Sequence, residues 1–386
     1  MRYVYADYNA TTPCSPAHYR KVFSVLEETV GNPSSIHHLG REAKLVLEDA
    51  RQKVASLFGA EKNRVLFTSG ATESNNLVIQ GLVQERFHKS GKKAKILLSA
   101  TEHASVYQAA EAMEKRGFCE IVYIPVNSNG IVTAETLAQY LNSDLALVSL
   151  IHVNNETGAI NPLSELVELI RKKSTHAHIH VDAVQSCGKL DIRWFEASAI
   201  DSASASAHKL GGLRGVGCLY SKRSTTLFPL IYGGGQERGW RAGTENLPGV
   251  ISFGIRAEEL TNKNWMKSAE NLRSRFLAGL AEIPGVHLHG DPQFCLPTTV
   301  NFHVDGLRGE ELLLSFDSAG ISVSNGSACS SGGGRPSHVL KAMGYTDEVA
   351  AHSVRVSFGE GSTKEDLEVI LKTLLDLVRW KKRSSQ

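Results

Sequence analysis

Between residues 60 and 220, short apolar runs alternate with stretches of helical period, and this alternation constrains the fold more than any other feature. Val65–Thr68, Ile96–Ser99, Ile121–Ile124, Leu145–Ile151, Ile179–Asp182, Ser202–Ala207 and Val216–Tyr220 have the length and apolar content of buried strands. Glu73–Lys89, Ser105–Arg116 and Leu163–Lys173 read as helices between them. Such an order predicts an α/β fold with a mostly parallel seven-stranded sheet covered by helices. Ligands of these sheets bind beyond the carboxyl ends of the strands, so the residues just after each run are where chemistry is expected.

After about residue 256 the pattern changes. A polar helical stretch over Ile255–Glu282 leads to a Pro284-Gly285 turn, a strand over Thr299–Val304 and a helix from Gly309 to Ala319. A short strand at Ile321–Ser324, a loop, a helix near Ser337–Met343, a strand over Ser353–Phe358 and a last helix from Thr363 follow. The expected division is a large domain over 15–255 and a smaller α+β domain made of 1–14 and 256–386.

Composition narrows the function classes. Forty-two basic against forty acidic residues give a net charge of +2, which offers no electrostatic reason for direct nucleic-acid or membrane binding. No run approaches the ~18 apolar residues of a spanning helix, and MRYVYADYNATTP lacks a signal-peptide core. The six cysteines are scattered without a C-x-x-C pair, as expected of free thiols in a reducing, cytoplasmic setting.

Three positions that follow strands have complementary chemistry. Gly70-Ala71-Thr72 is a glycine turn into a helix N-terminus, whose open N–H groups can cradle an anion. An ordinary capped helix with Thr72 as N-cap is the plain alternative. Asp182 ends a buried strand, where a carboxylate is either a helix cap or the partner of a cationic group. Ser202-Ala203-Ser204-Ala205-Ser206-Ala207-His208-Lys209 carries small residues that leave room for a flat ring and ends on a lysine, which taken alone is only a solvated charge. Together, a phosphate cradle, an acid for a pyridine nitrogen and a Schiff-base lysine are what pyridoxal 5'-phosphate requires. His176, His178 and His180 would share one face of a strand, yet nothing nearby adds a fourth ligand, so no metal site is expected.

Ten blocks in order carry a resemblance to the cysteine desulfurases among the fold-type I, class V aminotransferase-like enzymes. They are DYNATTP (7–13), GNPSSIH (31–37), FTSGATESNN (67–76), TEH (101–103), HVNNETG (152–158), HVDAVQS (180–186), SAHKLGG (206–212), GGGQERGWRAGTEN (233–246), NGSACSS (325–331) and SVRVSFG (353–359). The resemblance implies that L-cysteine is converted to L-alanine with its sulfur left as a persulfide on Cys329. Lys209 would carry the cofactor and shuttle a proton, Asp182 would pair with the ring nitrogen, and Gln185 and Asn155 would contact the ring oxygen. His103 would stack on the ring as an acid or base, and Ala71, Thr72, Ser206 and His208 would hold the phosphate. Thr244 would reach the phosphate of a neighbouring subunit, which implies a homodimer. Arg355, helped by Asn32 and Asn155, would read the substrate carboxylate, a task suited to a planar guanidinium.

Residues 325–337, NGSACSSGGGRPS, suit a soft nucleophile that must reach the substrate sulfur, with four glycines, four serines beside Cys329 and no large apolar residue. The glycines at 332–334 replace bulkier residues usual in the family, which implies a looser loop. Only a few residues follow Val378-Arg379-Trp380-Lys381-Lys382, fewer than in members that dock an iron–sulfur scaffold, so a sulfur-acceptor protein is implied without its identity. Iron–sulfur assembly and thiolation of tRNA, cofactors or DNA would all draw on this chemistry. A selenocysteine lyase would use nearly the same residues. An aminotransferase would have no use for the Cys329 loop, and a docking hub without turnover would release little alanine.

Overall fold

The computed structural model describes residues 3–222, 225–261, 265–325 and 336–384. Its centre is a seven-stranded sheet in the spatial order Val65–Thr68, Gly217–Ser221, Ser202–Ser206, His178–Asp182, Leu145–Ile151, Ala94–Ser99, Cys119–Ile124. Every pairing is parallel except those of Gly217–Ser221, which runs against both neighbours. All seven residues of Leu145–Ile151 are buried, as a strand covered on both faces demands.

Helices Ala71–Ser90, Ala104–Lys115 and Leu163–Lys173 return the chain between parallel strands. Leu163–Lys173 buries Leu163, Leu166, Val167 and Ile170, a 3.6-residue stripe. Ala71–Ser90 is buried on more than one side and stops where Gly91 takes a left-handed φ of 66°. Outside the alternating region, Pro16–Glu27 starts on a Ser15 side chain that accepts the His18 N–H. His38–Ser56 packs its Ala43, Leu47, Ala50 and Val54 face into the main core, to which helix Leu247–Thr261 also contributes. The polar stretch expected as one helix over Ile255–Glu282 is divided between that helix and Met266–Ala281.

A second core packs against the antiparallel sheet Ser324–Asn325, Val354–Ser357, Thr299–Val304, Val286–Leu288. Helices Met266–Ala281, Gly309–Ser318 and Lys364–Ser384 supply its apolar faces, including Phe276, Phe316 and Leu374. The single strand expected at Ile321–Ser324 is two. Ile321–Ser322 pairs in parallel with Val4–Tyr5, while Ser324–Asn325 joins Val354–Ser357. The N-terminal residues are thereby tied to the second core, and Asp7 bridges to Ser357. They then pass over the carboxyl ends of the central strands, where the Asn9 carbonyl meets the Gln185 and Lys209 side chains.

Candidate active site

A cavity of about 620 Å³ opens at the carboxyl ends of the parallel strands. Ser69–Thr72, His103, Asn155, Asp182, Gln185, Ser206, His208 and Lys209 line it, each just beyond or at the end of a strand. Asn9–Thr11, Arg214 and Arg355 complete the wall.

At one end lies the N-terminus of Ala71–Ser90. Gly70 occupies the cap and offers no side-chain acceptor, so no cap claims the first-turn N–H groups that an anion would use. Ser206 closes this end, its Oγ 3.9 Å from where a Cβ on Gly70 would stand. The turn sits tightly on the neighbouring strand, because a Cβ on Gly217 would lie 2.6 Å from the Gly70 Cα. Only glycine permits that approach. Glu73 steadies the turn by accepting the Ser69 N–H at 2.8 Å and the Arg241 Nε–H at 3.0 Å.

At the other end, Asp182 accepts from the Val184 N–H at 3.0 Å and from Asn75 Nδ2 at 2.9 Å. With its amino group so used, Asn75 turns Oδ1 toward His180 Nε2 at 3.0 Å, which therefore carries the proton. His180 Nδ1 accepts from Ser202 Oγ at 2.9 Å, and His178 Nε2 donates to the same hydroxyl at 2.7 Å. Burial pushes His180 down to about 3 and His178 to about 4, so both imidazoles are neutral. The histidine pair thus belongs to the hydrogen-bonded support of Asp182. His176 lies in the turn before the strand and does not join it.

Lys209 is raised by a tight turn, Ala207–Lys209, that breaks the strand one residue earlier than the expected end at Ala207. Its Nζ donates to the carbonyls of Asn9 at 2.6 Å and Ala10 at 2.9 Å. The Asn9 carbonyl also accepts from Gln185 Nε2 at 3.0 Å, and Gln185 Oε1 accepts from Lys189 Nζ at 2.7 Å. Burial, with the Lys209 and Arg355 charges adding to it, lowers Lys189 to about 7. His208 is held at about 4, first by burial and then by Lys209 and Arg214, and its Nδ1 lies 3.2 Å from Thr11 Oγ1.

Arg355 is 1% exposed. Its Nη2 donates to Asp7 Oδ1 at 2.6 Å and its Nη1 to the Asn155 carbonyl at 2.9 Å, while Nε has no partner among the described residues. His103 caps helix Ala104–Lys115, with Nδ1 accepting the Ser105 N–H at 3.2 Å, so a neutral ring carries its proton on Nε2.

Ala71, Thr72, His103, Asn155, Asp182, Gln185, Ser206, His208, Lys209 and Arg355 are therefore brought to one cavity. Two expected residues are not. Asn32 lies exposed in the loop before His38, where its Oδ1 accepts the Ser34 N–H, and Thr244 is exposed outside the cavity wall. Cys329 lies outside the described residues. Asp7, Asn9, Asn75, Lys189 and Arg214 were not singled out from sequence. Asp7, Asn9 and Asn75 lie within the DYNATTP and FTSGATESNN blocks, and Arg214 follows Lys209 by five residues in the same glycine-rich turn.

Of the other cysteines, Cys119, Cys187, Cys218 and Cys295 are buried and Cys14 is half-buried. Burial pushes the thiols of Cys119 and Cys187 up to about 12 and that of Cys295 to about 11, and raises Cys218 well above its ordinary value. None lines the cavity.

The aminotransferase class-V family model matches residues 4–370. Cysteine desulfurase IscS of Dictyoglomus turgidum is 42% identical over 377 residues, covering 97% of this chain and 94% of that protein. Cysteine desulfurase IscS 1 of Archaeoglobus fulgidus is 39% identical over 373 residues, 96% of this chain and 95% of its own. The solved structure of a NifS-like protein superposes with a TM-score of 0.89 at 35% identity, covering 98% of this chain and all of the other.

Proposed function

The chain belongs to the aminotransferase class-V family, and we propose that it acts as a cysteine desulfurase, converting L-cysteine to L-alanine and leaving the sulfur as a persulfide on Cys329. One observation carries the reading: an uncapped helix N-terminus, a buried strand-end carboxylate and a lysine amine share a single cavity. Those groups fit pyridoxal 5'-phosphate. Ala71, Thr72, Ser206 and His208 would hold its phosphate, Asp182 and Gln185 its ring, and Lys209 its carbonyl carbon. When bound, the cofactor supplies an electron sink that labilises bonds at the substrate's α- and β-carbons.

The protein's own groups do the rest. Arg355 reads the substrate carboxylate through the N–H groups that Asp7 and Asn155 leave over, and Asn155 lines the same wall. Lys209, released from the Asn9 and Ala10 carbonyls, moves the proton at the substrate's α-carbon. His103 lines the same cavity and would act there as an acid or base. The Cys329 thiolate attacks the substrate sulfur, the carbon–sulfur bond breaks, and a sulfur–sulfur bond forms on the protein. The raised thiols of the other cysteines support this choice of acceptor.

The same reading makes the protein a cytoplasmic homodimer that hands sulfur to an acceptor protein. Among the described residues, no helix is long and apolar enough to cross a membrane. Thr244 is exposed and does not line its own cavity, which suits a residue serving a second copy, and Asn32 would assist Arg355 with the substrate carboxylate. The large unit 15–255 would carry the cofactor, and 1–14 with 256–386 would carry the cysteine loop and Arg355. The test is turnover. With L-cysteine and a thiol reductant the protein should release alanine and sulfide in equal amounts, and Lys209→Ala should abolish both. Alanine release that survives in Lys209→Ala would remove Lys209 from the mechanism.

A further inference from the structure

On the antiparallel sheet, His287 and His303 stand directly opposite one another on paired strands, and Asp305 follows on the same face. One ligand atom from each lies within 4.8 Å of the others. Their surroundings fix which nitrogen is free. Asn301 donates Nδ2 to the Glu156 carbonyl at 3.1 Å, so its Oδ1, 2.6 Å from His289 Nδ1, accepts. The other ring nitrogen of buried His289, Nε2, lies 2.8 Å from His303 Nδ1. With Nδ1 of His303 engaged there, Nε2 is the ring nitrogen that remains for a ligand. Beside it, His287 Nε2 lies 3.0 Å from Asp305 Oδ2.

We propose that His287, His303 and Asp305 form a binding site for a divalent cation of the zinc class at the edge of this sheet. Two imidazoles and one carboxylate match the ligand types zinc prefers, and water would fill a fourth position. The cation takes the place of the contact between His287 Nε2 and Asp305 Oδ2, drawing one ligand atom from each side chain. His289, itself held by Asn301, fixes the His303 ring through Nδ1, as an outer-shell partner does for a metal-bound histidine. Zinc bonds of ~2.0–2.1 Å require ligand atoms about 3.3 Å apart, which the exposed His287 and Asp305 side chains can reach by small rotations. The site lies outside the cavity described above and does not depend on the sulfur chemistry.

The experiment uses tag-free, cofactor-loaded protein titrated with Zn²⁺ against a chromophoric chelator, with Co²⁺ as a spectroscopic substitute. One Zn²⁺ per chain is expected at this site, with a Co²⁺ spectrum that lacks thiolate charge transfer. His287→Ala and Asp305→Asn, both at exposed positions, should each remove that binding while leaving desulfurase turnover unchanged. His289→Phe, which keeps all three ligands, should weaken it by about 10- to 100-fold. Zn²⁺ affinity unaltered in His287→Ala and Asp305→Asn would overturn the proposal, as would the absence of any Zn²⁺ binding by wild type.

Discussion

Asp7 and Arg355, 348 positions apart in the chain, meet in a 2.6 Å ion pair at the edge of the cavity. The contact joins the N-terminal segment to strand Val354–Ser357 and fixes the plane of a guanidinium that is almost wholly buried. Asn155 holds a second terminal nitrogen through its carbonyl, and Nε is left without a partner among the described residues. A buried donor left open in this way costs free energy unless a ligand completes it.

Arg355→Lys should therefore raise the KM for cysteine by about 10- to 100-fold, since an ammonium cannot reproduce the planar fork. Asp7→Asn should move KM the same way by less, because the guanidinium stays but loses its anchor. Steady-state kinetics on both variants decides this. Normal KM and kcat in Arg355→Ala would place the carboxylate clamp elsewhere.

Lys189 sits beneath the cavity floor and orients Gln185, whose amide would meet the cofactor ring. Lys189→Met keeps the apolar stem and removes the donor, so the amide loses one of its two fixed partners. About tenfold weaker retention of the cofactor on dialysis is expected, with a shifted visible absorbance. Unchanged retention and an unchanged spectrum would reduce Lys189 to a space-filling role.

Stability should depend on pH through the histidines that support Asp182. In the unfolded chain an imidazole takes up its proton near ~6.5. In the fold His178 waits until about 4 and His180 until about 3. Below pH 6.5 the unfolded chain binds more protons, so stability falls as pH drops from about 6.5 toward these folded values and levels off beneath them. Each histidine contributes a slope of up to about 1.4 kcal/mol per pH unit in that window. Denaturation midpoints at pH 7.5, 6 and 5, on the order of one unit apart, should decline in wild type and decline less steeply in His178→Gln. Equal slopes in the two proteins would show that His178 is not buried neutral.

The central sheet and the ends of its strands were readable because apolar runs and helical periods are local signals. Leu145–Ile151 and Leu163–Lys173 have the same bounds in sequence and structure. Lys209 and Asp182 stood out because each ends such a run. Helices Pro16–Glu27 and His38–Ser56 lie outside the alternating region, and Ser15-Pro16 is the one recognisable start they offer. Asp7 and Asn9 lie in the DYNATTP block, but neither they nor Lys189 carry a pattern that names a partner. The roles of Asp7 and Asn9 exist only once the N-terminal segment crosses the strand ends, a contact between residues 176 or more positions apart, and that of Lys189 follows from the placing of Gln185. The histidine run was legible as a pattern, but Ser202 and Asn75, which set its purpose, come from other elements.

Cofactor chemistry and sulfur capture reside in different parts of the chain, Lys209 at a strand end and Cys329 in the glycine- and serine-rich stretch after Asn325. Replacing Cys329 by serine removes the soft nucleophile and leaves every described group of the cavity in place. A hydroxyl ionises far above the ~8.5 of a thiol and has little affinity for sulfur, so it cannot substitute. Cys329→Ser should bind the cofactor normally and still change its visible spectrum on addition of L-cysteine. It should release almost no alanine or sulfide, a loss of at least about 100-fold, because the step that breaks the carbon–sulfur bond lacks its attacking group. Wild type treated with L-cysteine and no reductant should carry an adduct of about 32 Da, one sulfur, on the peptide holding Cys329. The buried Cys187 and Cys218, with thiols raised far above neutrality, should carry none. An adduct on either of them, or full turnover in Cys329→Ser, would sink the assignment of the sulfur acceptor while leaving the cofactor site intact.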